Sequence, residues 1–365
     1  MLMYEPEPAT AARAMIRVLV VDDSPSAREL LVYVLNTDPA IQVIGVASSG
    51  EQAVEMAAKL KPDVITMDIH MPGLDGFGAT RRIMESCPTR IVMVTAVEIP
   101  GEVAATFSAL DAGALAVLAR PVGIGLAGFE ADVGNLLQTI KLMSEVNVVR
   151  RWPQRAAKTP ATPATSPPVS LPSGDRPIRI VAIGASTGGP MVLQTIFSQL
   201  PADFPVPIVL VQHISAGFAV GFAQWLASTT GFPVRVAQHR EPLRAGTVYL
   251  APDHCNMRVC ALETIALTND PPEHGLRPSV SCLFRSVAEV YQGTAAGVLL
   301  TGMGRDGAQE LLQMKETGAV TIAQDKESAV VFGMPGEAVK LGGANYVLAP
   351  DMIAAALRRL VTTGR

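Results

Sequence analysis

The sequence is poor in cysteine and in aromatic residues, and it carries no apolar run of membrane-spanning length. Its four cysteines (Cys87, Cys255, Cys260 and Cys282) form no CxxC pair and no zinc spacing. That excludes a disulfide framework and a thiolate metal site, and predicts reduced thiols in a cytosolic protein. Aromatics make up 5% of the chain against 49% hydrophobic residues, so the cores are expected to be aliphatic. The missing long apolar run excludes a transmembrane helix. Excess positive charge is lacking too: the net charge is −4, which argues against nucleic acid or an anionic membrane as the main partner. The first ten residues are acidic and Pro-rich, unlike a signal peptide, and read as a disordered leader.

What is present suggests two domains, both from the 365-residue length and from a change of character around residues 150–177. There a basic stretch (Arg150, Arg151, Arg155, Lys158) leads into a Thr/Pro/Ala run from Thr159 to Pro168. Such a run buries too little apolar surface to order itself and forms an extended, semi-rigid linker.

Ahead of the linker, buried-strand patterns alternate with helical ones. Strands are predicted at Arg17–Val21, Val43–Ala47, Val64–Met67, Ile91–Val94 and Ala116–Leu118. Alternation of this kind implies a parallel sheet wound on both faces, with ligands at the carboxyl ends of the strands. Asp22 and Asp23 follow the first strand, Asp68 follows the third, and Thr95 ends the fourth. Three carboxylates at one edge repel each other unless a cation lies between them. Hard oxygen donors of this kind suit Mg²⁺ bridging to phosphate, and a carboxylate that accepts a phosphoryl group is the reading they support. Strand-end aspartates that merely cap helices are the alternative.

The stretches Val20-Val21-Asp22-Asp23-Ser24 and Met67-Asp68-Ile69-His70-Met71-Pro72-Gly73-Leu74-Asp75-Gly76 resemble the receiver domain of two-component response regulators. The resemblance implies that Asp68 accepts phosphate from a sensor histidine kinase, that Asp22 and Asp23 hold Mg²⁺ with it, and that Thr95 contacts the phosphoryl group. Two positions depart from the pattern. Arg120 stands before Pro121 where receivers carry a lysine, and its guanidinium pairs with phosphate with different reach. Val117 replaces the aromatic switch residue of many receivers.

After the linker, Arg179–Ile183 runs into Gly184-Ala185-Ser186-Thr187-Gly188-Gly189-Pro190, followed by a helical pattern. Gly-x-Ser-x-Gly between strand and helix is the layout of a nucleophilic serine on a sharp turn. The free N–H groups at the helix start suit a developing oxyanion. Ser186 occupies the middle glycine position of a dinucleotide fingerprint, and Pro190 and Met191 replace the Lys-Ser/Thr of a P-loop, so both phosphate-binding readings are disfavoured. A plain glycine-rich turn remains open on the motif alone. A strand at Pro207–Val211 is followed by His213, and one at Ala296–Leu300 by the glycine-rich segment holding Asp306. A serine, an imidazole and a carboxylate thus lie at strand ends that share one edge of a parallel sheet. These are the groups acyl transfer needs: nucleophile, base and orienting partner. Their chain order differs from the Ser, Asp, His order of α/β-hydrolases. Asp253 is the rival carboxylate, whereas His70, His239, His254 and His274 read as loop residues.

This half resembles the catalytic domain of the chemotaxis protein-glutamate methylesterase (CheB) family. The stretches that carry the likeness are Ile183–Pro190, Val211-Gln212-His213, Thr247–Pro252, Arg277–Val280, Leu300–Gly307, Ala323-Gln324-Asp325 and Val331–Pro335. The Asp253-His254-Cys255 loop and Ser281 differ from the commonest family residues. The resemblance implies Ser186 as nucleophile, His213 as base and Asp306 as its partner, with the backbone N–H groups of Thr187 and Met303 as oxyanion hole. It implies an α/β protein of two doubly wound parallel-sheet domains: a flavodoxin-like receiver at 14–140, a Pro-rich linker at 141–177, and a Rossmann-like methylesterase domain at 178–362. The expected activity is hydrolysis of glutamate methyl esters on methyl-accepting chemoreceptors, with deamidation of glutamines by the same route. An unphosphorylated receiver covering the cleft is the implied switch. The expected protein is a cytoplasmic monomer that uses Mg²⁺ in the receiver and no cofactor in the catalytic domain, with no nucleic acid and no membrane insertion. The competing reading is a non-catalytic response regulator whose C-terminal domain docks a partner.

Overall fold

The computed structural model describes residues 15–96, 100–126, 128–146 and 177–362. The expected leader and most of the expected linker lie outside the described residues. The first half comprises β1 (Ile16–Val21), α1 (Pro25–Asn36), β2 (Ile41–Ala47), α2 (Gly50–Leu60), β3 (Val64–Met67), α3 (Gly76–Ser86), β4 (Arg90–Thr95), α4 (Pro100–Ala112), β5 (Ala116–Ala119) and α5 (Phe129–Glu145). Its strands form one sheet in the order β2-β1-β3-β4-β5. The β1, β2, β3 and β4 ladders are parallel. Val18 to Val21 are fully buried, as a continuous apolar run covered on both faces requires. Helix starts follow the local chemistry. The Ser24 hydroxyl accepts from Ala27 N–H, Pro25 opens α1, and Asp75 caps α3 through Gly78 N–H.

The second half comprises β6 (Ile180–Ala185), α6 (Gly189–Phe197), β7 (Ile208–Gln212), α7 (Ala219–Thr230), β8 (Val234–Val236), β9 (Val248–Leu250), β10 (Asn256–Cys260), β11 (Thr264–Thr268), α8 (Val280–Tyr291), β12 (Ala295–Leu299), α9 (Ala308–Glu316), β13 (Val320–Gln324), α10 (Met334–Lys340), β14 (Tyr346–Leu348) and α11 (Pro350–Thr362). Seven strands form a parallel sheet in the order β14-β13-β12-β6-β7-β9-β8. An antiparallel β10–β11 hairpin, not anticipated from the sequence, stands apart. The chain leaves β6 toward β7 on one side and later returns to β12 on its other side. The strand order therefore reverses at β6, and the carboxyl end of β6 is where an open α/β sheet forms its crevice. Ser186 is the next residue.

Contacts gather the chain into two compact units. One runs up to Thr95 and from Pro121 through α5; the other holds Ala96–Arg120 and everything from β6 onward. No described helix is long and apolar enough to cross a membrane.

Candidate active site

Register explains how three distant residues converge. Ala185 pairs with Gln212 across β6 and β7, and Gly184 pairs with Leu299 across β6 and β12. Ser186 and His213 each come one residue later on neighbouring strands. The Ser186 N–H donates to Thr301 O at 2.9 Å, and the His213 N–H to Ala185 O at 2.9 Å. Asp306 lies in the turn after β12, and its Oδ2 stands 2.9 Å from His213 Nε2. The structure thus brings imidazole and carboxylate together and sets Ser186 between their strands. The Ser186 hydroxyl makes no hydrogen bond among the described residues. Catalytic bonds of this kind often tighten only once substrate is bound. Asp253, the rival carboxylate, accepts instead from Gly217 N–H at 2.8 Å.

Asp306 is almost fully buried, yet four donors surround it. Oδ1 accepts from Ser279 Oγ (2.9 Å) and Ser281 N–H (2.9 Å). Oδ2 accepts from Val280 N–H (2.7 Å) and from His213. Ser279 caps α8, so the carboxylate sits on a helix N-terminus, where free N–H groups and the helix dipole favour negative charge. Burial pushes the Asp306 pKa up, but the bonds from His213 and Ser281 outweigh it and hold the group down at about 2. An ionised carboxylate only accepts, so it keeps the proton on Nε2 and leaves Nδ1 as the imidazole's acceptor nitrogen.

Sequence reasoning missed this cradle. Its signal was a serine directly before an apolar helical pattern, the ordinary mark of a helix start. Close approach makes it possible. A Cβ on Gly184 would stand 2.4 Å from Val280 Cγ1, so a side chain there would force Val280, the first residue of α8, to shift. Behind the cradle, Ser281 Oγ joins Glu310 Oε2 at 2.6 Å and accepts from Gly307 N–H at 2.9 Å. Arg285 closes this network through Glu310 and Glu273.

Two backbone donors border Ser186. The N–H groups of Thr187 and Met303 make no hydrogen bond among the described residues. Both are half-buried, and they follow β6 and β12 at the same sheet edge. Unused donors at a half-buried rim suit a developing oxyanion.

The first half carries a second site. The Asp68 N–H donates to Val21 O at 2.8 Å, which sets Asp68 beside the end of β1. Asp22, Asp23 and Asp68 each place a carboxylate oxygen within 4.8 Å of the others. Asp22 and Asp68 are buried. Like charges this close repel, and all-oxygen donors of this kind could hold a hard divalent ion. Thr95 is buried at the end of β4, and Arg120 directly follows β5.

Comparison with known proteins follows the same division. The response regulator receiver domain pattern matches residues 18–125, and the CheB methylesterase pattern matches residues 181–357. A protein-glutamate methylesterase/protein-glutamine glutaminase of Nitrosospira multiformis is 54% identical over 347 residues, 95% of this chain and 97% of its own. One from Syntrophus aciditrophicus is 51% identical over 346 residues, 95% of this chain and 98% of its own. The solved catalytic domain of the Thermotoga maritima CheB methylesterase is 39% identical, covers 50% of this chain and 99% of that one, and has a TM-score of 0.49. Identity above half along almost the full length of both chains leaves one conclusion: this protein belongs to the CheB methylesterase family, in the form that carries a receiver domain ahead of the esterase domain.

Proposed function

We propose that the protein is a phosphorylation-regulated serine esterase that hydrolyses glutamate methyl esters on methyl-accepting chemoreceptors and deamidates their glutamines by the same route. The observation that carries this reading is the His213–Asp306 pair, with the carboxylate held in a buried cradle of donors at the start of α8 and the imidazole just past β7, the strand beside the one that Ser186 follows.

In this reading the Ser186 oxygen attacks the ester carbonyl carbon while His213 Nδ1 takes the hydroxyl proton. Asp306 stabilises the imidazolium through Nε2. Charge gathers on the carbonyl oxygen, where the Thr187 and Met303 N–H groups stabilise it. Collapse breaks the carbon–methoxy bond; the leaving oxygen takes the proton from His213 and departs as methanol. Water then attacks the acyl-serine, His213 again takes a proton, and collapse returns it to the Ser186 oxygen and frees the glutamic acid side chain, which loses its remaining proton to solvent. With a glutamine substrate ammonia leaves in place of methanol. A mere docking module has no use for an ionised buried carboxylate aimed at an imidazole.

We divide the chain into a receiver at 14–140, a linker at 141–177 and a catalytic domain at 178–362. Asp68 is the phosphoryl acceptor and a sensor histidine kinase the phosphodonor. Asp22, Asp23 and Asp68 would hold Mg²⁺, which when bound neutralises charge on the transferring phosphoryl group. Thr95 and Arg120 contact that group. Phosphorylation shifts the receiver between two states that differ in their effect on catalysis. The place of action is the cytoplasm, in keeping with four cysteines that are all free thiols. Release of labelled methanol from methylated receptor by the wild type but not by Ser186→Ala tests the reading; equal release by both sinks it.

A further inference from the structure

The carbonyl oxygens of Ser186 and His213 are tied together by one side chain, that of Gln212. Gln212 ends β7 and is 3% exposed. Its Nε2 donates to Ser186 O at 2.8 Å and to His213 O at 2.8 Å. Both amide hydrogens are therefore spent on backbone carbonyls of the nucleophile and the base. Its Oε1 is buried with no hydrogen-bond partner. Turning the amide over would set that oxygen against two carbonyl oxygens, so the orientation is fixed. Room for Oε1 comes from Gly189, where a Cβ would lie 2.1 Å from it. A buried amide with one end unsatisfied is costly, and its other end serves the two residues that do the chemistry.

We propose that Gln212 is a positioning residue that aims the Thr187 N–H into the cleft. The inference rests on the esterase reading above and deepens it. Ser186 C=O and Thr187 N–H belong to one planar trans peptide group and point in opposite directions. Whatever holds the oxygen from behind sets the direction of the N–H in front. Ser186 O accepts from Gln212 Nε2 and, at 2.8 Å, from Gly189 N–H. Two donors on one carbonyl also polarise the peptide and make its N–H a stronger donor. The second bond of Nε2, to His213 O, locks the base's backbone to the same anchor.

The test uses full-length protein and methylated receptor. Gln212→Met keeps the length of the side chain and removes both donors. The expected result is a kcat lower by about 10²-fold, the order seen when an oxyanion donor is lost, with KM changed by less than about twofold. Gln212→Glu supplies a readout that a structural role would not move. Its ionised carboxylate cannot donate but regains an O–H when protonated, and burial against two carbonyl oxygens favours that protonated form, so its activity relative to wild type should climb as the pH falls from about 8 to about 5. A folded Gln212→Met enzyme with kcat within about threefold of wild type, or a flat ratio for Gln212→Glu, overturns the proposal. Failure of both variants to fold overturns it as well, because Gln212 would then serve the fold. Ser186→Ala runs alongside: full activity there removes the esterase reading itself, whereas an inactive Ser186→Ala beside a fully active Gln212→Met removes only the role of Gln212.

Discussion

Replacing Asp306 by asparagine probes the site most directly, because every polar contact of the carboxylate comes from a donor. Ser279 Oγ and Ser281 N–H serve Oδ1; Val280 N–H and His213 Nε2 serve Oδ2. An asparagine brings its own NH₂ to one of these positions. Placed at Oδ1, it meets a hydroxyl that can turn to accept but orphans the Ser281 N–H. Placed at Oδ2, it orphans the Val280 N–H and reverses the tautomer of His213. Either way one buried donor is left unpaired, which costs about 1–3 kcal/mol. The charge is lost as well. Asp306 is held at about 2 against the usual 3.8, which amounts to about 2 kcal/mol of folding stability overlapping with that cost. The folded pKa lies below the unfolded one, so this stabilisation is complete above about pH 4 and disappears as the pH falls through about 2. The melting temperatures of wild type and Asp306→Asn should therefore differ by a constant amount at neutral pH and converge between about pH 4 and 2. Without a carboxylate the imidazolium of the transition state is unsupported, and kcat should fall about 10⁴-fold, as for the same change in a serine protease triad. Methanol release and thermal unfolding measure the two effects. A variant with kcat within about tenfold of wild type, beside an inactive Ser186→Ala, would refute the role of Asp306.

Two further outcomes follow from the packing and the charges. Gly184→Ala sets a Cβ 2.4 Å from Val280 Cγ1; it should lower stability by about 1–3 kcal/mol and depress kcat with little change in KM, and an unaltered kcat would show that the start of α8 does not need its present seat. In the receiver, acetyl phosphate should label wild type and not Asp68→Ala, and chelation of divalent ions should abolish the wild-type signal; labelling of both proteins, or labelling insensitive to chelation, would count against the carboxylate cluster of Asp22, Asp23 and Asp68.

Residue types at the sites were legible in the sequence because buried parallel strands read as plain apolar runs. β1, β3, β6, β7 and β12 announce themselves this way, and the polar residue after each must lie at the sheet's carboxyl edge. The β10–β11 hairpin was harder. Met257 and Val259 alternate with Asn256, Arg258 and Cys260, a period of two, but the run is short and lies beside loop residues. Its turn also places Glu263 at φ 56°, a conformation with no glycine to mark it.

The aim of the candidate catalytic groups was less legible than their residue types, and for a physical reason. Two of the four donors that orient Asp306 are N–H groups at the start of α8, and the candidate oxyanion donors are N–H groups after β6 and β12. Every residue but proline carries such a group, so no residue type betrays it. Only the side chains that hold those peptides in place leave a mark. Ser279 does so by capping a helix, and Gln212 by being a polar residue buried at the end of an apolar strand. On the proposal above, a buried amide beside a candidate catalytic residue is the mark that an aimed backbone leaves in a sequence, and the Gln212 variants separate that role from simple packing.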